Sequence, residues 1–284
     1  MASRSLRIGS LRMGPPLFLP VVLAGCGPST PAASSIELAF AARVGGEEFA
    51  CGRSYPGVGT SDTTITAQAL RRYVHDVRFV TAAGAEVPLA LDQDDFQNGA
   101  IALLDFETGG SACGSGNAPT HTAITGTLPS VGPYTAIRLR LGVPEARNHL
   151  DSGSQPSPMN LTTLYWGWQG GYKFMRFEAL TDEASRAVSF HLGATGCSGD
   201  ATLGTRTCAN GNRPEITLAL PEGFSATSHE IVLDVGAWLA EMDLSGDGCE
   251  SSPTDPDCPA WWATVGLPDA SAQRLLRVAS RPSP

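Results

Sequence analysis

The chain has 284 residues, 42% of them hydrophobic, and 28 acidic against 19 basic side chains give a formal charge of −9. A nucleic-acid surface needs clustered cations to displace counterions, but Lys173 is the single lysine and the arginines are scattered, so no nucleic-acid partner is expected. With 32 Gly, 21 Pro and only 17% charged residues, the composition excludes a coiled coil or helical bundle and describes a turn-rich fold with a modest core.

Arg4, Arg7 and Arg12 precede an apolar run at 15–24 that is too short and too proline-rich to span a bilayer. Residues 1–25 read as an export signal. The run ends in Leu23-Ala24-Gly25-Cys26, which resembles the bacterial lipobox and predicts lipidation of Cys26, with 26–35 as a linker to a domain at 36–280. No other stretch reaches membrane length, so the body is expected to be tethered by its N-terminus alone. Cys51, Cys113, Cys197, Cys208, Cys249 and Cys258 then remain, an even count that implies disulfides in an oxidising compartment. Spacing alone pairs Cys197 with Cys208 and Cys249 with Cys258, leaving Cys51 for Cys113.

Short alternating or apolar runs follow at 36–44, 73–80, 87–91, 100–106, 123–128, 134–141, 173–180, 187–192, 215–220 and 230–235, separated by turn residues. They predict an all-β fold, a single β-sandwich-like domain of about ten strands with long disulfide-pinned loops. Residues 68–72 and 237–242 are the helical candidates.

Along this frame, alternation places His75 inward with Tyr73, Val77 and Phe79, as a core histidine or a copper- or zinc-type ligand. His149 falls in a loop, with Asn148 and Asp151 to orient its ring or simply to make a turn. Met159 offers a thioether suited to Cu(I), or packing alone. The segment at 165–174 gathers Tyr165, Trp166, Trp168, Tyr172 and Phe174 around glycines, as a core corner, a metal-pocket wall, an oxidisable tryptophan or a sugar platform. His191 has the parity opposite to Phe190 and is expected to face solvent, while His121 and His229 sit beside turn-like residues. Asp243, Asp247, Asp255 and Asp257 crowd a loop where calcium is conceivable, although the spacing departs from an EF-hand. The phosphate loop, the H-E-x-x-H helix, the G-x-S-x-G elbow, C-x-x-C and C-x-x-C-H are all absent.

Several segments together resemble one family: Phe49-Ala50-Cys51-Gly52; Tyr73-Val74-His75-Asp76-Val77-Arg78; Ala102-Leu103-Leu104-Asp105-Phe106-Glu107; Leu141-Gly142-Val143-Pro144 with Asn148-His149-Leu150-Asp151; Trp166-Gly167-Trp168-Gln169; Phe190-His191-Leu192-Gly193 with Cys197; Cys208 with Asn212-Arg213-Pro214; and the stretch ending at Cys258. Their order over 36–267 resembles the MbnP-like family, the four-Cys-motif protein of the metallo-mystery pair system. The resemblance implies a periplasmic or outer-membrane, lipid-anchored copper-binding protein, not itself an enzyme. Its implied partner is a di-haem MauG-like cytochrome c peroxidase that oxidises a tryptophan to kynurenine beside the copper. On this resemblance His75, His149 and His191, with Met159, are the ligand candidates, and Trp166 and Trp168 the candidates for modification. One departure concerns Phe96: in the family a tryptophan often precedes the glutamine matching Gln97. If that position is the oxidised one, Trp166 or Trp168 has to serve here. The alternative reading is a metal-free β-sandwich module that binds glycans or proteins through Trp166 and Trp168. A hydrolase using Asp76, Asp105 or Glu107 ranks last.

Overall fold

The computed structural model describes Gly9 and residues 33–108, 113, 120–129, 133–181, 186–220, 223, 225–252 and 254–281. The expected export signal, apart from Gly9, and Cys26 lie outside the described residues.

In chain order the strands begin with β1 (Ala33–Val44), β2 (Glu47–Glu48), β3 (Ser54–Val58), β4 (Thr63–Thr81), β5 (Glu86–Pro88), β6 (Ala90–Leu91), β7 (Gln97–Asn98) and β8 (Ile101–Asp105). They continue with β9 (Ala123–Pro129), β10 (Tyr134–Leu141), β11 (Tyr165–Gly167), β12 (Gly171–Tyr172), β13 (Met175–Thr181) and β14 (Ala187–Leu192). The last six are β15 (Thr195–Ser198), β16 (Thr207–Asn210), β17 (Glu215–Ala219), β18 (His229–Asp234), β19 (Gly248–Cys249) and β20 (Leu276–Ser280). Three short helices intervene: α1 (Glu145–Asn148), α2 (Val235–Leu239) and α3 (Cys258–Thr264).

These strands form a six-stranded sheet, in the order β20-β18-β1-β9-β6 with β2 beside β1, and a ten-stranded sheet built on the path β17-β10-β4-β13-β14-β19. One continuous apolar cluster joins Leu38 and Phe40 of the first sheet to Leu70, Val74, Phe79, Ile137 and Phe177 of the second. The single ten-strand sandwich expected from the sequence is therefore corrected to two unequal sheets, two separate two-stranded hairpins and some helix. Most of the extra strands are two to five residues long, too short to show a period of two.

The 19-residue strand β4 is the spine of the larger sheet, pairing with β3, β5, β8, β10 and β13. Residues 68–72, a helical candidate, lie inside it. Their alternation is erased because Leu70, Arg71, Arg72, Tyr73 and Val74 are all buried, the sheet being covered on both faces. The other candidate is met by α2, which the Asp234 carboxylate caps by accepting from the Ala237 N–H at 3.0 Å. Helices α2 and α3 place Trp238 and Trp261 against Phe190, closing one end of the inner face. Disulfides join Cys51 to Cys113, Cys197 to Cys208 and Cys249 to Cys258.

Candidate metal centre

The outer face of the ten-stranded sheet carries a polar row that the register creates. Asp105, Arg71, Arg176 and His191 stand opposite one another on β8, β4, β13 and β14. Residues directly opposite share a face, so four polar groups from segments far apart in sequence line up. Arg71 Nε lies 3.0 Å from Asp105 Oδ2 and 3.4 Å from Glu107 Oε2, with all three side chains buried. Burial pushes the carboxyl groups of Asp105 and Glu107 up, against the pull of Arg71. Arg176 binds Glu178 through two nitrogens, at 2.8 and 2.6 Å. Burial would raise Glu178, but hydrogen bonds from His191 and Arg176 hold it at about 2.

His191 has the predicted parity but not the predicted exposure. It is buried because the segment around Trp166 covers this face, and its ring sits between Glu178 (2.8 Å) and Glu250 (3.2 Å). Trp166 lies 6.4 Å from the His191 ring, and Lys173 Nζ approaches the indole at 5.8 Å. A Cβ on Gly193 would come within 2.3 Å of Trp166 Cζ3, so glycine there lets the indole rest on the backbone.

His75 is displaced from its expected face by a bulge. Asp76 takes a left-handed φ of 53°, and the register jumps from Arg138 opposite Arg78 to Arg140 opposite His75. His75 therefore shares the outer face with Tyr73 and Arg78, while Val77 and Phe79 point inward. Its Nδ1 meets the Gly142 carbonyl at 2.7 Å, and burial lowers the imidazole to about 4. Met159 is fully buried in the core cluster, and its carbonyl accepts the Tyr172 hydroxyl at 2.7 Å.

His149, directly after α1, is held differently. Asn148 is buried, and its Oδ1 accepts the Tyr172 N–H at 3.1 Å; a Cβ at Gly171 would meet the same amide at 2.6 Å. This fixes α1 to the hairpin β11–β12. The His149 Nδ1 then sits 2.8 Å from the Trp168 carbonyl, which can only accept, so Nδ1 carries the proton. The Nε2 lone pair accepts from Asn148 Nδ2 at 3.0 Å and faces Cys208 Sγ at 3.1 Å. A backbone carbonyl that takes the Nδ1 proton of a histidine in this way leaves Nε2 as the nitrogen able to bind a metal. Donor atoms of His149, Cys197 and Cys208 all lie within 4.8 Å of one another, the one group of three such donors among the described residues. The two sulphurs are bonded to each other, so His149 supplies the nitrogen lone pair of the group, which an ion would take over from Asn148 Nδ2. A cavity of about 400 Å³ opens beside it, lined by His149, Leu150, Asp151, Tyr165, Trp168 and Thr202 among others. Trp168, 53% exposed, is the more open of the two candidate tryptophans.

The structure thus separates the three predicted histidines rather than gathering them: His191 in an ion-pair row, His75 against a carbonyl, His149 beside the sulphurs. Asp76 is paired with Arg78, and with Asp105 and Glu107 engaged by Arg71 the carboxylates of the hydrolase reading are all in ion pairs. In the acidic loop, Asp243 and Asp255 accept from the Ser245 and Asp257 N–H groups and close turns.

His121, expected only beside turn-like residues, has a more specific setting. It bridges to Asp105 through the backbone, and its ring stacks on Phe96 with centroids 4.4 Å apart and planes 2° from parallel. Its Nδ1 meets the Leu103 carbonyl at 2.8 Å. The signal available in the sequence was the family position at Phe96, whose neighbour across the sheet no spacing reveals.

The family model for MbnP matches residues 33–255. The chain belongs to the MbnP family. A solved structure described as MbnP from Methylosinus trichosporium superposes on this MbnP-family protein with a TM-score of 0.77 and 26% identity, covering 88% of this chain and 100% of that one. No curated protein matches the sequence.

Proposed function

We propose that this MbnP-family protein is a periplasmic copper-handling protein, a carrier and not a catalyst, whose metal site is centred on His149. The observation that carries the reading is the fixed tautomer of His149: its Nδ1–H is spent on the Trp168 carbonyl, and its Nε2 lone pair, which accepts from Asn148 Nδ2, lies beside two sulphurs next to an open cavity. Neutral imidazole suits copper. His149 would hold the ion, and Trp168 is the tryptophan best placed for oxidation by a di-haem MauG-like partner, because it is exposed and tied through its backbone to the ligand ring. Trp166 is braced on Gly193 and Lys173 and is the less accessible substrate. The export signal and Cys26 are consistent with a lipid anchor facing the periplasm.

A second reading places copper at His121. The ring of Phe96, at the position where the family often has tryptophan, lies face to face with that imidazole.

The test is copper per chain after Cu(I) loading, in the wild type, His149→Ala and His121→Ala. Loss of bound copper in His149→Ala alone supports the first reading, and loss in His121→Ala alone moves the site to the second. A wild-type chain that takes up no Cu(I) overturns both and favours the metal-free binding module. That module would be assayed as glycan or protein binding insensitive to chelators.

A further inference from the structure

The three disulfides are not equivalent. Cys113, Cys249 and Cys258 are at most 1% exposed, so two of the three bonds are shielded on at least one sulphur. Cys197 and Cys208 are only half-buried, directly opposite one another on the β15–β16 hairpin. A thiolate must reach a disulfide sulphur along the S–S axis to displace its partner; Cys51 is half-buried too, but Cys197–Cys208 is the bond of the three that is open at both sulphurs. It is also the bond that His149 Nε2 touches, 3.1 Å from Cys208 Sγ.

We propose that Cys197–Cys208 is a redox latch on the His149 site, and that its reduction creates an imidazole–dithiolate site for a thiolate-seeking cation such as Cu(I) or Zn(II). The proposal deepens the copper reading and rests on it for the identity of the cargo. In the latched state the sulphurs offer no thiolate. A dithiol reductant attacks one sulphur, the electron pair of the broken S–S bond leaves on the other, and the second thiol of the reductant resolves the mixed disulfide. The reductant ends as a disulfide, and the protein gains two electrons and two protons. Binding the cation releases those two protons, since thiolate is the ligating form.

The hairpin holds the donors near each other without the bond. Asn210 Nδ2 donates to Thr195 Oγ1 at 3.1 Å, and Asn212 Nδ2 donates to the Gly193 carbonyl at 2.8 Å. Arg206 Nε donates to the Gln169 carbonyl at 3.0 Å, tying the hairpin to the Trp168 loop. A tetrahedral ion bound by thiolate and imidazole needs sulphurs about 3.8 Å apart. The present donor cluster, all within 4.8 Å, reaches that spacing once the sulphurs part.

The test treats the intact chain with limiting dithiothreitol, removes it, and titrates Co(II) as a spectroscopic probe, with alkylation and peptide mass spectrometry mapping the opened pair. The expected result is first alkylation at Cys197 and Cys208, together with a thiolate-to-cobalt charge-transfer band that is missing before reduction. The band is expected to vanish in the Cys197→Ser/Cys208→Ser variant and to weaken in His149→Ala. If the double variant does not fold, the wild-type mapping and band decide alone. Opening of another pair first, or Co(II) bound to reduced wild type without that band, overturns the latch. Copper retained by oxidised His149→Ala overturns the His149 copper reading instead and leaves the latch result untouched.

Discussion

Arg71 and Arg72 are adjacent on β4, equally buried, and opposite in circumstance. Arg71 points to the outer face, where Asp105 and Glu107 meet it. Arg72 points between the sheets, where its guanidinium lies 5.9 Å from the Phe40 ring and its three nitrogens make no hydrogen bond. Burial lowers Arg72 to about 9. The difference teaches that this sheet has two interiors: an apolar one that tolerates a misplaced charge, and a polar one in which each charge has partners and from which the candidate site extends.

Breaking the polar interior is expected to have the largest effect. Asp105→Ala takes from Arg71 its nearer carboxylate, leaving only Glu107 at 3.4 Å, and removes the acceptor of the Glu107 N–H at 2.8 Å. The expected cost is about 3–5 kcal/mol, read from urea unfolding. The double change Arg71→Met/Asp105→Leu should recover part of that loss, because both charges of the pair go together and Glu107 keeps Arg176 at 3.7 Å.

The next effect comes from pH. His75 titrates at about 4 in the folded chain against an ordinary value of 6.5, so between those values the unfolded chain binds more protons and stability falls as pH falls. The loss should reach about 3 kcal/mol by pH 4, and His75→Gln should flatten that window in melting temperature against pH. Glu178 acts lower: held at about 2, it contributes stability above its ordinary value of 4.5 that is lost as pH falls toward 2, and His191→Gln should reduce that loss.

The apolar interior predicts a gain. Arg72→Met replaces an unpaired buried cation with a side chain of similar length and should stabilise the fold by roughly 2 kcal/mol in the same urea assay. A neutral or destabilising outcome would show that the contact with Phe40 offsets the burial. His149→Ala should be nearly silent in stability, within about 0.5 kcal/mol, while bound copper is lost. That outcome would separate the site from the scaffold beneath it.

Much of the fold was legible because alternation survives where one face of a strand is buried. In β10, Ile137, Leu139 and Leu141 are buried while Arg138 and Arg140 are not, as the sequence pattern predicts. The inner face of β14 was read correctly for the same reason. Legibility ended where a strand is covered on both sides, as in β4, and where a bulge at Asp76 turned His75 to the other face. His191 was assigned to the right face, but its exposure depended on a cover supplied by the Trp166 segment.

The β-rich class, the disulfide pairing, the family and the residue types able to carry soft-metal chemistry were all present in the sequence. These follow from local spacing and side-chain chemistry. Only the tertiary structure decided which of them meet. Register set Asp105, Arg71, Arg176 and His191 in one row, and the Asn148–Tyr172 bond brought His149 to the Trp168 carbonyl and the Cys208 sulphur. Those contacts join residues as distant in sequence as His149 and Cys208, or Arg71 and Arg176. They are fixed by strand pairing and burial acting across the whole sheet, which local spacing does not record.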